Sequence, residues 1–314
     1  MASVPSKGKT EYLRMSFGDV LGNALKYWIS GLRYYFVLYL VVQLVMAGMA
    51  YGLILFSAYN PWILLLAGAF VPALGYSSLL STIFSLRPID LMAIGFIAFF
   101  IVFLVINMLL QLLVTGTVIQ HAADTHAGLK TSIGHSFRFA RTRVVSLLGA
   151  TVLSTLITLS FLAAPFAVLG ISLLGIFMLF WSPFFWLVLI VAVLALSVAS
   201  MVLLIYVMVR LSVFAPAVVL GGASAATSLR QSWKLAHGHF WRVFAIIIII
   251  GLLVAAIGSL PLGFTMFSIF LPIPPLMGLV FTIVYAVVNA CTMPLSPLAQ
   301  TMLYEDLFAR YYGA

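Results

Sequence analysis

The 314-residue chain is 65% hydrophobic and 7% charged, has a mean hydropathy of +1.25 and carries a net charge of +9. This composition leaves too few polar side chains to coat a water-soluble domain of this length. Four stretches without a formal charge exceed the roughly 20 residues that cross a bilayer; they lie between Arg33 and Arg87, Asp90 and Asp124, Arg143 and Arg210, and Arg242 and Glu305. Continuous apolar runs favour helices over barrel strands.

The predicted elements begin with a polar tail at residues 1–15, and residues 16–314 are expected to form a single transmembrane domain. Residues 16–32 should form an amphipathic helix in the membrane interface, followed by a first span at 34–56. Later spans are predicted at residues 91 to about 120, about 144–162, 184–213, about 240–258 and 277 to about 304. We expect the apolar middle segments, 62–86, 165–183 and 261–275, to be re-entrant or packed at the outer face.

Three segments share one spacing of apolar residues, in steps of 4, 3 and 4. In each, a small residue precedes the second apolar position and a base follows it, and equivalent positions lie 112 and then 96 residues apart. The apolar positions are Leu21, Leu25, Trp28 and Leu32; Ile133, Phe137, Ala140 and Val144; and Leu229, Trp233, Ala236 and Phe240. The pattern predicts an all-α polytopic membrane protein with about six transmembrane helices, in three pseudo-repeats (residues 16–122, 127–216 and 223–308) of an interfacial helix and two spans.

Charge predicts the topology. Six spans would place both termini and all three interfacial helices on one side, with 14 of the 15 Lys and Arg residues and only Arg87 opposite. If the first two middle segments also crossed the membrane, the second interfacial helix would instead lie outside. The positive-inside rule opposes that arrangement and predicts cytoplasmic termini.

Two runs of the chain, residues 210–244 and 294–312, carry a recurring pattern. Its features are Pro216, Gly221-Gly222, Ser232-Trp233, the segment Gly238-His239-Phe240-Trp241-Arg242, and a C-terminal run with Tyr304, Asp306 and Leu307. The pattern resembles the six-span membrane domain fused to some bacterial glycerophosphodiester phosphodiesterases, and related stand-alone prokaryotic membrane proteins of unknown function. The resemblance implies a prokaryotic cytoplasmic (inner) membrane. It implies no hydrolase activity, because that chemistry belongs to a separate soluble domain in the fused proteins.

Bases beside the spans are candidate contacts for anionic lipid headgroups, although they could equally do no more than set the topology. They are Lys26, Arg33, Arg138, Arg141, Arg143, Arg230, Lys234 and Arg242. Nucleic acid is not an expected partner, because no polar domain exists to carry these charges.

Polar residues at membrane depth form a second candidate site. Asn289, Thr292, Ser296 and Gln300 fall at steps of 3, 4 and 4 on the predicted last span, and Asn107 and Gln111 could face them from an earlier span. Bonding between helices is the first interpretation of this stripe. A path for a polar headgroup or solute is the second, favoured by Pro294 and Pro297, since a broken helix frees carbonyl groups.

Neither catalysis nor metal binding is expected. His121, Asp124 and His126 cannot converge on a metal from one helix, and the lone Cys291 excludes a multi-cysteine site. The carboxylates lie at span ends or in tails, where Glu305, Asp306 and Arg310 should form an ion-pair set at a helix end. We therefore expect no enzyme activity, cofactor or metal.

The leading functional hypothesis is a non-enzymatic membrane protein that binds lipid or organises the membrane through basic interfacial helices. A transporter or flippase-like carrier for an amphiphilic solute is the alternative. An accessory subunit that binds other membrane proteins in a larger complex is the second alternative.

Overall fold

The computed structural model describes residues 14–59, 88–129, 131–178, 183–259 and 275–312. Within these ranges the chain forms helices and no strands. The helices are α1 (Phe17–Tyr59), α2 (Pro88–His126), α3 (Ile133–Met178), α4 (Pro183–Leu211), α5 (Phe214–Val219), α6 (Ala225–Leu235), α7 (Phe240–Gly258), α8 (Pro275–Thr292) and α9 (Leu295–Tyr312).

Six helical segments in the described part of the chain are long and apolar enough to cross a membrane. They are Phe17–Met49, Ala98–His126, Ile133–Phe161, Val191–Val219, Phe240–Gly258 and Leu279–Tyr312. On α4, Val191, Leu194 and Val198 are 57%, 65% and 57% exposed, as expected of side chains that face hydrocarbon. The predicted class, an all-α polytopic membrane protein with six spans, is confirmed.

The interfacial segments differ from the expectation of three separate helices. Residues 17–32 and 133–144 are the first turns of α1 and α3, which continue unbroken into their spans, and α3 runs on through the expected boundary at Pro165 to Met178. Only the third segment is separate, because α6 ends before a turn at Gly238, where φ is +86°. The positions equivalent to Gly238 are Thr142 and Ser30, which lack glycine's access to that conformation.

The expected last span is likewise two helices, since a turn at Met293 and Pro294 separates α8 from α9. A similar turn at Ser212 and Val213 separates α4 from α5. The third residue of each following helix is a proline, Pro216 in α5 and Pro297 in α9, within a first turn that needs few backbone donors. The expected middle segments 62–86 and 261–274 lie outside the described residues.

The helices group into two compact units. The first unit comprises Met1–Leu32, Leu113–Val254 and Pro294–Ala314, and the second comprises Arg33–Leu112 and Ala255–Met293. In the first unit, α3 packs against α4, α5 and α6, and α9 packs against α5 and α6. The core of this unit is built largely from α5 and α9, whose residues are mostly buried.

Glycines allow close packing in the first unit. A Cβ added at Gly149 would lie 3.1 Å from the Cβ of Ala225, so α3 and α6 approach closely there. A Cβ at Gly221, in the turn between α5 and α6, would lie 2.6 Å from the backbone oxygen of Ala217 and 3.1 Å from Tyr304 Oη. Any side chain at residue 221 must therefore displace backbone or α9.

We expect Gly221→Ala to lower the free energy of unfolding by about 1–3 kcal/mol through overpacking. The measurement is the midpoint of thermal unfolding in detergent. Gly251→Ala is the control, because a Cβ on that exposed residue of α7 would meet nothing within 4 Å. Equal midpoints for the two variants would contradict the tight turn at Gly221.

Candidate functional site

One buried carboxylate connects three parts of the first unit. Asp306 on α9 has 0% exposed surface, and its Oδ2 lies 3.0 Å from Arg242 Nη2 at the start of α7. Arg310 Nε donates to both carboxylate oxygens at 3.0 Å, which confirms the predicted i,i+4 ion pair. The backbone N–H of Met15 donates to Oδ1 at 2.9 Å. We call this set, Asp306, Arg242, Arg310 and Met15, the Asp306 junction.

The two arginines also hold the same backbone segment through its carbonyl group. Arg242 Nη2 and Arg310 Nη2 donate to the Met15 oxygen at 2.7 and 2.8 Å. The junction thus satisfies both the N–H and the C=O of Met15 and fixes the residues just before α1. Sequence reasoning missed Met15, because a contact made through backbone atoms leaves no signal in the side chain.

A second contact brings the end of α2 to the same part of α9. His126 Nδ1 lies 2.6 Å from Glu305 Oε2, and the His126 ring meets the Tyr27 ring of α1 edge-on at 6.0 Å between centroids. Nearby on α2, buried Asp124 accepts a hydrogen bond from Gln120 at 2.8 Å. Over the described ranges, no group of three or more His, Cys, Asp and Glu residues could hold a metal ion. The contacts of His126 thus connect the end of α2 to α9 and α1.

Arg210 at the end of α4 is buried among neutral groups, with 6% of its surface exposed. It donates to Tyr206 Oη at 2.7 Å and to the Trp233 carbonyl at 3.2 Å, and its guanidinium lies 5.0 and 5.2 Å from the centroids of those two rings. No described carboxylate pairs with it. The Trp233 carbonyl belongs to the last turn of α6, the negative end of that helix dipole, which favours a cation.

The Ser232-Trp233 pair of the third segment contacts Arg210. Ser232 Oγ donates to the Arg210 carbonyl at 2.8 Å, while Trp233 supplies the ring and the carbonyl described above. The first two segments have no such pair, and the residue 96 positions before Arg210 is Val114. The pair and the arginine therefore occur together, at only one of the three places where the predicted repeats would allow them.

The eight candidate headgroup residues separate into two groups. Arg242 is committed to the Asp306 junction, and half-buried Arg143 lies against the Gly222 carbonyl at 3.5 Å. The other six are exposed, and none has a hydrogen bond or ion pair with another described residue: Lys26, Arg33, Arg138, Arg141, Arg230 and Lys234. All of these except Arg33 belong to the first unit.

The carboxylates that the structure describes in the first unit do not neutralise these exposed bases. Glu305, Asp306 and Asp124 are buried. Asp19 is exposed but accepts the Ser16 N–H at 2.8 Å in the cap that starts α1. The described surface of the first unit therefore carries an excess of free positive charge.

The predicted polar stripe is not continuous, because the turn at Met293 and Pro294 divides it between α8 and α9. Its hydrogen bonds stay within single helices: Asn289 to the Tyr285 carbonyl, Thr292 to the Val288 carbonyl, and Gln300 to Ser296 Oγ. In the second unit, a Cβ added at Gly258 of α7 would lie 3.3 Å from Asn289 Oδ1, so this end of α7 packs directly on Asn289.

The partners expected from the earlier span show no bond to the stripe. Asn107 is 6% exposed, and its Oδ1 has no hydrogen-bond partner within the described chain. Gln111 is half-buried. The structure therefore brings no stripe residue into a hydrogen bond across helices among the parts it describes.

The model of one protein family matches most of the chain, including most of the residues described above. Residues 58–313 match the family model of a domain of unknown function, DUF7847. The chain belongs to this family. No curated protein and no solved structure matches the chain. The DUF7847 region contains Arg210, Ser232, Trp233 and three of the four members of the Asp306 junction; Met15 lies before it.

We expect Asp306→Asn to destabilise the protein by about 3–5 kcal/mol, because it leaves two arginines without their buried counter-charge. The measurement is thermal or denaturant unfolding in detergent micelles. Asp19→Asn is the matched control, since it changes an exposed helix cap and should cost much less. Similar losses in both variants would show that the Asp306 junction does not hold the first unit together.

Proposed function

We propose that this DUF7847 protein is a non-enzymatic integral membrane protein that binds anionic lipid headgroups and organises the membrane around it. The observation that carries the proposal is the free positive charge of the first unit. Five exposed bases there lack ionic partners among the described residues, whereas the neighbouring carboxylates are buried or bound in a helix cap. Each base held near an anionic surface contributes about 1 kcal/mol of binding, which salt weakens.

The hydrogen bonds of the first unit support a topology with both termini on one side. The Asp306 junction joins the starts of α1 and α7 to the end of α9, and His126 joins the end of α2 to the same helix. The chain therefore leaves this side in α1 and returns to it at the end of α2. It leaves again in α7 and returns at the end of α9. The positive-inside rule makes that side cytoplasmic. The resemblance to prokaryotic membrane domains favours the prokaryotic cytoplasmic membrane.

The positions of the acids favour a protein without catalysis. Glu305 and Asp306 are occupied by His126 and by two arginines, so neither is available as a general acid or base at an open site. The six unpaired bases are exposed on the surface, as expected for contact with a large anionic layer.

A carrier for an amphiphilic solute is the second candidate. The observation that favours it is the break between α8 and α9, since discontinuous membrane helices can present backbone groups to a solute. Flux of labelled lipid in proteoliposomes would support the carrier, and its absence would favour the binding protein. An accessory subunit remains the other alternative, which native mass spectrometry of gently extracted protein would reveal through a bound partner.

We expect the purified protein to retain phosphatidylglycerol in preference to phosphatidylcholine when it is exchanged into an equimolar mixture of the two. Native mass spectrometry measures the bound lipids. Replacing Lys26, Arg138, Arg141, Arg230 and Lys234 by Gln should abolish the preference, because these are the unpaired bases of the first unit. Arg87→Gln is the control, because the six-span topology predicts Arg87 on the opposite side. A wild-type protein that retains both lipids equally would refute the lipid proposal.

We also expect a cysteine at position 142 to be labelled only from the cytoplasmic side. Thr142 is exposed at the start of α3, and Cys291→Ser provides a background without other thiols. A membrane-impermeant maleimide on intact cells and on inverted vesicles makes the measurement. A cysteine at position 87 should show the reverse pattern. Labelling of position 142 from outside would overturn the six-span topology.

A further inference from the structure

We propose that the third segment alone forms a docking surface for anionic phospholipid headgroups, built from the exposed face of α6 and the start of α7. We call it the α6 ledge; it consists of Arg230, Trp233, Lys234, His237 and Trp241. The inference rests on the proposed lipid binding and says which part of the first unit selects the headgroup.

The ledge continues one face of α6 into the turn that follows it. Arg230, Trp233 and Lys234 on α6 and His237 in the turn follow the i, i+3, i+4, i+7 spacing of a single helical side, and all four are exposed. The opposite side of α6 is buried through Ser228, Leu229, Ser232 and Leu235. In addition, α6 packs against α3, α4, α5 and α9, and its basic side remains exposed to meet a partner.

Two exposed tryptophans identify that partner as a membrane surface. Trp241 is 76% exposed and Trp233 is 38% exposed. An indole combines a large apolar ring with one N–H donor, and tryptophan is enriched where headgroups meet hydrocarbon. Lys234 and Arg230 beside these rings supply the charge that an anionic phosphate requires.

The ledge is continuous with a face of α7 that hydrocarbon would cover. Ile248 and Leu252 follow Trp241 by 7 and 11 residues, lie on the same side of α7, and are 40% and 65% exposed. Since a helix rises 1.5 Å per residue, Ile248 lies about 10 Å beyond Trp241 along the axis. That is the depth difference between a headgroup and the first part of its acyl chains. A lipid is therefore the occupant that fits both ends of the surface.

Aromatic packing holds the two tryptophans in place. Tyr206 packs against Trp233 at 5.8 Å and against Phe240 at 5.3 Å, and Phe240 packs against Trp241 at 5.5 Å. Buried Arg210 lies over both Tyr206 and Trp233. The ledge is thus a prearranged surface, which reduces the ordering that binding requires.

The first two segments lack these features. Their positions equivalent to Trp241 are Arg33 and Val145, and those equivalent to Trp233 are Leu25 and Phe137. Both segments also run straight into their spans, whereas the turn at Gly238 separates α6 from α7. The second segment nevertheless carries two exposed bases, Arg138 and Arg141, and so provides a control of matched charge.

The test uses a protein whose only tryptophans are Trp233 and Trp241, with the other four replaced by Phe, reconstituted into vesicles that contain brominated phosphatidylglycerol or brominated phosphatidylcholine. Bromine quenches the fluorescence of a tryptophan that it contacts. Comparing quenching in vesicles with the two brominated lipids therefore gives the relative affinity of these lipids at the ledge. We expect phosphatidylglycerol to bind at least about fivefold better, the factor expected for one lysine near the surface. Arg230→Gln with Lys234→Gln should bring the ratio close to one. Arg138→Gln with Arg141→Gln should leave it unchanged.

Equal quenching by the two lipids, or equal loss of preference in the two double variants, would overturn the ledge. If the protein with two tryptophans does not fold, the difference in quenching between the unaltered protein and Trp241→Phe gives the ratio at Trp241. Native mass spectrometry distinguishes a failure of the ledge proposal from a failure of the proposed function. Enrichment of phosphatidylglycerol without selectivity at the ledge tryptophans refutes the ledge alone, and the absence of both refutes lipid binding as a whole.

Discussion

The ionic contacts of Asp306 are the interaction on which the first unit depends. A carboxylate without exposed surface is costly to bury, and here two arginines and a backbone N–H meet that cost together. The partners come from distant parts of the chain, one ahead of α1, one at the start of α7 and one on α9 itself. The junction therefore fixes which helix ends lie together. Most of the exposed bases lie on other elements, Arg138 and Arg141 on α3 and Arg230 and Lys234 on α6.

Charges in the first unit have two distinct uses. The buried charges contact specific partners: Asp306 contacts two arginines, Glu305 contacts His126, and Arg210 contacts two rings, a hydroxyl and a helix end. Exposed bases have no such partners among the described residues. Arg210 and Lys234 carry the same charge, yet one supports the packing of α6 and the other is available at its surface. Burial, more than residue type, decides between the two uses.

Much of the fold followed from the sequence, because long apolar runs leave few alternatives in a bilayer. The six spans and the Asp306–Arg310 pair were predicted from apolar length and from i,i+4 spacing. The break after α8 entered only through the second interpretation of Pro294 and Pro297, since a proline within an apolar run does not say whether a helix bends or ends. A separate interfacial helix was predicted for all three segments and is found only in the third, as α6. Only that segment has a glycine, Gly238, at the position where the turn requires a positive φ.

The site was harder to predict than the fold. Arg242 and Lys234 are equally plausible headgroup contacts in the sequence, and only the position of Asp306 separates them. The link between Arg210 and Ser232-Trp233 crosses 22 residues, and no helical spacing connects them. The polar stripe was predicted on one continuous helix, whereas the turn at Met293 and Pro294 divides it; its two interpretations stay predictions.

The contact with Met15 also bears on where this domain begins. The family match starts at residue 58, but Asp306, Arg242 and Arg310 within the match direct their hydrogen bonds to a backbone segment more than forty residues earlier. A fragment cut at the family boundary would retain the three charged side chains and lose the peptide group that they share. The limits drawn by sequence similarity and the limits of a self-sufficient folding unit are therefore different, and an expression fragment of this protein should follow the second.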